Sequence, residues 1–420
     1  MGQKRSESPG LSRLVEETIS TLSPIQSIMK IADPSNIVRM GLDPENIISF
    51  GGGWCNHEAP ERLREIYADI CLDASDFHIS GRYSAITGNL KIREQLCEFE
   101  KNIFSVNGLR PDNICVGHSS TQLFHDVLRV ICDPGDGIAV LDPSYVNYFN
   151  AVKCALPGSS VQFIPALDPV TWEYMPDPEI PTEYLKELCS EGRIKALVIP
   201  DPDNPTSQIM PSGILSGFLD ILTDAGAYLV MDHAYKTQYF GDMPETYSWS
   251  CEDIPNLISI HSNSKWLSSL GRRLGWLEAP SVITNAMERL VESTLLSPDS
   301  LHSAATARFL EESIGNGSLV HYIDEMRKLY QRTATITMKA IDRHMGKPRL
   351  DPKGGLYTCV KIDTDPVRFT EEILRETGVL FIPGTGFGPS MEEGIRVSYG
   401  PLCDNHDKIV EGMERVGSYI

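Results

Sequence analysis

Four stretches, "GIAVLDP", "IKALVIPDPDN", "AYLVMDHAY" and "NLISIHSNSK", follow one plan: an apolar strand core, then at once a polar or aromatic group. Helical patterns alternate with them from about residue 60. In "NLKIREQLCEFEKNI" the residues Leu90, Leu96, Phe99 and Ile103 fall near one helical face, and "TQLFHDVLRVI" is broken by Pro134 and Gly135. That alternation is the signature of an α/β fold with a mostly parallel sheet and flanking helices. In open parallel sheets, ligands bind beyond the carboxyl ends of the strands. Those ends present Tyr145, Asn204, Asp232 with Tyr235, and Lys265.

The 420 residues suffice for two to three domains. After about residue 320 the texture changes to one long helical pattern, "SLVHYIDEMRKLYQRTATITMKAIDRHM". It is followed by "GGLYTCVKID", a helix in "DPVRFTEEILRETG" and a short strand in "GIRVSYG". We expect a large domain over 56–320 and a smaller α+β domain built from 1–55 and 321–420.

Charge narrows the function. Lys and Arg number 37 against 57 for Asp and Glu, a net charge of −20. Such an acidic field repels nucleic acid and anionic membranes, so any phosphate site must be local. No uncharged apolar stretch approaches the ~20 residues of a membrane span. Ten cysteines are scattered without a C-x-x-C pair, which suits a reducing cytoplasm. No H-E-x-x-H is present, and no metal is expected. The start lacks the apolar core of a secretory signal; "MGQKRS" matches an acylation pattern at Gly2, read here as coincidence.

Lys265 follows Ser262 and Ser264 just past a strand and precedes Arg273 by eight positions. With "YSAITGNLKIREQL", "LDPSYVNY", "DPDNPTS", "MDHAY", "GVLFIPGTGFG" and "GIRVSYG" in order, the chain resembles the fold type I pyridoxal-phosphate enzymes, in the class I/II aminotransferase group. The resemblance runs from "NIISFGGGWCNHEAP" to "GIRVSYG"; order and spacing carry it, since no piece is decisive alone.

The resemblance implies pyridoxal 5'-phosphate as cofactor, with Lys265 as its Schiff-base lysine (the internal aldimine) and later the general base. Ser119, Ser120 and Thr121 open a helix whose N-terminus would take the phosphate together with Ser262, Ser264 and Arg273. Asp232 would pair with the pyridine nitrogen, Tyr235 and Asn204 would bond the ring oxygen, and Tyr145 would stack on the ring. Arg396 would clamp the substrate carboxylate, near Asn204, and Gly53 and Trp54 belong to the segment that covers the substrate. Tyr83 matches a tyrosine that reaches the phosphate from a neighbouring subunit, implying a homodimer with shared sites; a buried core tyrosine is the competing reading.

Three departures stand out. Ser119 and Ser207 replace glycines of the pattern, and Trp54, Asn56 and His57 follow the glycine run without the usual proline. The implied reaction moves an amino group between an L-amino acid and a 2-oxo acid. The departures raise the expectation of a variant chemistry on the same fold: elimination or replacement, ring closure, or oxidation. A non-catalytic sensor is a third reading, disfavoured by the intact Lys265 and by an N-terminal stretch without a basic face. Dicarboxylate-specific relatives carry an arginine, supplied by the partner subunit, before a motif like "SPDSLHSAA"; here "VESTLL" precedes it, which disfavours aspartate or glutamate as the specific substrate but leaves glutamate open as a general amino donor.

Overall fold

The structure, a computed structural model, describes residues 10–13, 15, 16, 30, 31 and 33–420. Gly2 and its acylation-like pattern lie outside the described residues, as does much of the segment 1–55. The chain first pairs with itself at β1 (Ile48–Ser49). It then enters helix α1 (Leu90–Phe104), strand β2 (Ile114–Gly117) and helix α2 (Ser119–Ile131). Strands β3 (Ile138–Asp142), β4 (Val161–Pro165), β5 (Ala196–Pro200), β6 (Tyr228–Asp232), β7 (Leu257–Ser262) and β8 (Gly275–Glu278) follow.

These strands form one seven-stranded sheet in the order β2-β8-β7-β6-β5-β3-β4. Every pair is parallel except those of β8, which runs antiparallel to β2 and β7. The unbroken apolar runs follow from burial on both faces. Successive side chains point oppositely, so Ile138, Val140, Val198 and Ile258 pack into one layer while Ala139, Leu141, Leu197 and Leu257 pack into the other. All strands but β8 thus run the same way, and the carboxyl ends of those six face one edge.

A second body of structure follows helix α3 (Ser318–His344). Strands β9 (Tyr357–Lys361), β11 (Ile382–Pro383) and β12 (Gly394–Ser398) make an antiparallel sheet ordered β11-β12-β9. Strand β10 (Val379–Leu380) pairs in parallel with β1, so residues near 48 are stitched to residues near 380.

One helical face differs from expectation. Along α1, Leu96 and Phe99 are buried as read, but Leu90 is 54% exposed, and Ile92, Glu100 and Phe104 complete the buried face instead. Asn89 caps the helix by accepting from Ile92 N–H (3.0 Å), which leaves Leu90 on the opening turn, over solvent.

Candidate active site

The carboxyl ends of β5, β6 and β7 open on a cavity of about 360 Å³. Lys265, Asp232, Tyr235, Tyr145, Asn204, Ser120, Thr121, Ser262, Ser264, Arg273, Arg396, Gly53 and Trp54 all line it. Of the residues singled out from the sequence, Ser119 stands just behind the wall and Tyr83 stands apart.

One end of the cavity gathers hydroxyls and a guanidinium. Ser262 ends β7; its Oγ accepts from Ser264 N–H (3.1 Å) and its hydroxyl donates to Ser264 Oγ (2.8 Å). This cap turns the chain into the short helix Asn263–Trp266, which carries Lys265. The Lys265 ammonium donates to the Gly53 carbonyl and lies 5.4 Å from the centre of the Tyr235 ring. The first turn of α2, whose backbone N–H groups have no helical partners, brings in Ser120 and Thr121. Arg273 is fixed by donating to Leu270 O (2.7 Å) and to the Ser119 hydroxyl.

Asp232 and Tyr235 stand further along the cavity. Burial pushes the Asp232 carboxyl up, but Tyr148 O–H (2.7 Å) and Ala234 N–H (3.0 Å) donate to it and favour the carboxylate. Tyr235 and Tyr357 share a hydrogen bond of 2.6 Å, and burial holds the Tyr235 phenol far above its ordinary range. The Tyr145 phenol is pushed up to about 12, chiefly by burial. Both remain O–H donors at any ordinary pH.

Arg396 comes from β12 and is 6% exposed. It donates to Asn204 Oδ1 (3.0 Å) and Gly51 O (2.9 Å), and its guanidinium carbon sits 4.5 Å from the centre of the Tyr357 ring. Its Nε–H meets no acceptor among the described residues, and no carboxylate pairs with it.

The two serine-for-glycine exchanges turn out to be local exchanges of backbone freedom for hydrogen bonds. Ser119 (φ +76°) and Ser207 (φ +55°) both occupy the left-handed region that suits glycine. Ser119 uses its hydroxyl on Arg273, and Ser207 Oγ accepts from Tyr357 N–H (3.0 Å). Neither alters the chemical groups facing the cavity, which removes the reason they gave for expecting a variant reaction.

Other readings are corrected. Tyr83 is 84% exposed, so it is no core tyrosine; it lies in a separate concavity with Ile79, Arg82 and Ser300. Asn56 and His57, departures that follow the glycine run, face elsewhere. Asn56 donates to Asp404 (2.9 Å), and His57 Nδ1 and Nε2 meet Tyr330 Oη (2.7 Å) and Trp266 O (3.2 Å). Trp54 alone of that trio reaches the cavity.

The sequence reading missed Tyr148, the partner of Asp232, although "LDPSYVNY" contains it three residues after Tyr145. It also missed Tyr357 and Phe387, which line the cavity from the second body.

Behind the site lies a buried ionic cluster. Lys236, next to Tyr235, sits 2.7 Å from Glu100; His261, next to Ser262, sits 3.5 Å from Glu100 and 3.2 Å from Glu278. Glu100, His261 and Glu278 are close enough to share an ion, with ligand atoms within 4.8 Å of one another. The cation already on Glu100 is the lysine.

An α/β enzyme with its polar groups at the carboxyl edge of the sheet is the class that fold and cavity define. The chain belongs to the aminotransferase class I and II family, whose model matches residues 45–411, and it is thus a transferase. It is 26% identical over 377 residues to aspartate aminotransferase of Pyrococcus horikoshii, covering 89% of this chain and 90% of that protein. It is 26% identical over 414 residues to aspartate/prephenate aminotransferase of Thermus thermophilus, covering 97% and 98%. The solved structure of Thermus thermophilus aspartate aminotransferase with maleate superposes with a TM-score of 0.82 at 23% identity, covering 98% of this chain and 100% of that one. The shared fold is what that likeness conveys.

Proposed function

We propose that this aminotransferase uses pyridoxal 5'-phosphate, held by Lys265, to move an amino group between an L-amino acid and a 2-oxo acid. The observation that carries the reading is the donor set: a lysine, a buried carboxylate and a phosphate-type cradle line one cavity. The fit is chemical. Ser120, Thr121, Ser262, Ser264, Arg273 and a helix N-terminus suit a phosphate dianion, with Ser119 steadying the arginine. Asp232, braced by Tyr148, suits a protonated ring nitrogen, and the Tyr145 ring suits a stacked pyridine.

When bound, the cofactor supplies an aldehyde that captures amines and a ring that draws negative charge from the substrate α-carbon. The remaining work falls to this chain. Lys265 Nζ would hold the aldehyde and, once the substrate amine has displaced it, would be free to move the proton at the α-carbon. Tyr235, protonated and tied to Tyr357, donates beside the lysine together with Asn204. Arg396 takes the α-carboxylate in its fork, and the segment through Gly53 and Trp54 covers the substrate.

We further propose the division into 56–320 and 1–55 with 321–420, in keeping with the separate β11-β12-β9 sheet and the β1–β10 pairing. A homodimer is supported by the apolar surface of Leu72, Phe77, Ile79, Tyr83 and Leu90, all exposed; Tyr83 would then serve the partner's site. Ten free cysteines support a cytoplasmic setting, and among the described residues no helix is long and apolar enough to cross a membrane.

Borohydride reduction of the purified protein with pyridoxal phosphate, followed by peptide mapping, tests the assignment. The adduct is expected on Lys265 and absent in Lys265→Ala. An adduct that persists in that variant, on another lysine of the cavity-bearing fold, would overturn it.

A further inference from the structure

Charge within the cavity bears on the side chain of the substrate. The lining holds four charged groups: Lys265, Arg273, Arg396 and Asp232. Under the proposed function all four are already engaged, by the aldehyde, the phosphate, the α-carboxylate and the ring nitrogen respectively. Among the described residues of this chain, no lining cation is left for a second carboxylate, and no lining acid for a side-chain ammonium or guanidinium. The rest of the usable wall is apolar or aromatic, from Trp54, Val146, Leu270, Tyr357 and Phe387.

From this census we infer that the cavity takes L-amino acids with apolar or aromatic side chains, and that the Trp54 indole is a selecting wall. Burying an unpaired distal charge against such a wall is unfavourable, whereas apolar area removed from water is favourable. Trp54 is placed to take part. It is 46% exposed while lining the cavity, so the indole sits at the rim. Its six-membered ring folds over Gly52, where any Cβ would collide with the ring carbons. Gly52 therefore admits the indole to its place, and the sequence Gly52–Gly53–Trp54 works as one unit. An indole at a rim adds area to a bound phenyl or isobutyl group and adds nothing to a methyl group that does not reach it.

The inference rests on the proposed function, and two measurements separate the failure of one from the failure of the other. The first is calorimetric binding to the protein loaded with pyridoxal phosphate, using acids that lack an amine: 3-phenylpropionate and succinate. The aryl acid is expected to bind about tenfold or more tightly, the discrimination that one unmatched group yields in a site. Succinate binding as tightly or more tightly overturns the inference, since a cation from beyond these lining residues, such as one from a partner subunit, would then complete the site.

The second is single-turnover bleaching of the visible cofactor band by L-phenylalanine, L-leucine, L-alanine, L-aspartate and L-lysine. Phenylalanine and leucine are expected to react fastest, and Trp54→Ala is expected to lower the phenylalanine-to-alanine ratio about tenfold. Fastest reaction with aspartate or lysine, or an unchanged ratio in Trp54→Ala, overturns the substrate class or the role of the indole respectively. If no amino acid bleaches the band, the proposed function falls, and the binding comparison still decides what the wall prefers.

Discussion

Arg396 and Lys236 are both buried cations, 6% and 4% exposed, yet their surroundings differ in kind. Lys236 faces the Glu100 carboxylate at 2.7 Å, with His261 and Glu278 closing the cluster. Among the described residues Arg396 has only neutral acceptors, an amide oxygen and a peptide carbonyl, and one N–H with none. Taking a charge out of water is expensive unless it is paired. A cation neutralised inside the chain serves the scaffold; one kept short of an anion beside a cavity is held for an anionic ligand. Asp203 is a third case, a buried carboxyl facing hydroxyl and amide donors of Thr206 and no cation.

Breaking the paired charge should have the largest effect. Lys236→Met strands Glu100, and its loss is expected to cost about 3–5 kcal/mol of unfolding free energy. Burial already pushes the Glu100 carboxyl up, with Lys236 opposing, so the stranded acid takes a proton when folded. The variant should then weaken further as pH rises, and Lys236→Met with Glu100→Gln should recover much of the loss. Urea unfolding at two pH values checks both.

Asp203 should leave its mark on the pH profile. Burial raises it to about 7 when folded, against roughly 3.9 in the unfolded chain. The folded state keeps the proton longer, so this group's contribution is intact below about pH 4 and is lost as pH rises through 7, by at most about 4 kcal/mol. Asp203→Asn is expected to flatten that slope. Asp201, also raised by burial, keeps some slope in the variant.

Arg396→Gln sharpens the contrast from the other side. Stability is expected to stay within about 1 kcal/mol of the parent, because no ion pair is broken. The specificity constant should fall about ten- to a hundredfold, the value of a charged hydrogen bond worth roughly 1.5–3 kcal/mol. A stability loss as large as that of Lys236→Met would erase the distinction between the two cations.

The smallest effect concerns Ser207. Ser207→Ala keeps the left-handed backbone cost and leaves Tyr357 N–H without its acceptor; Ser207→Gly removes the acceptor but relieves the backbone. The glycine variant should be the more stable by about 1 kcal/mol in thermal unfolding.

What the sequence made legible follows from range. Strand cores, the lysine just past one of them and the break after α2 are local, and each was readable from a few neighbours, whereas the cap at Ser262 was not. Residues meeting across layers were not. Tyr148 reaches Asp232 from 84 positions away, and Lys236 meets Glu100 across 136. Nothing in "QLCEFEKNI" distinguishes Glu100 from the solvated glutamates beside it, because its burial is decided by a lysine on another element. The serines at 119 and 207 were noticed as departures, but their positive φ, which explains them, is a property of the folded backbone.

The stitching of the glycine run to β12 has a consequence for biosynthesis. Arg273 meets Ser119 over 154 positions, while Arg396 meets Gly51 over 345. At ribosomal speeds of about 5–20 residues per second, the roughly 120 residues between the two arginines take about 6–25 s to appear. A growing chain can thus shape the cradle for a phosphate well before the clamp for a carboxylate exists, and the glycine run at 51–53, made early, is among the last stretches to find its partners.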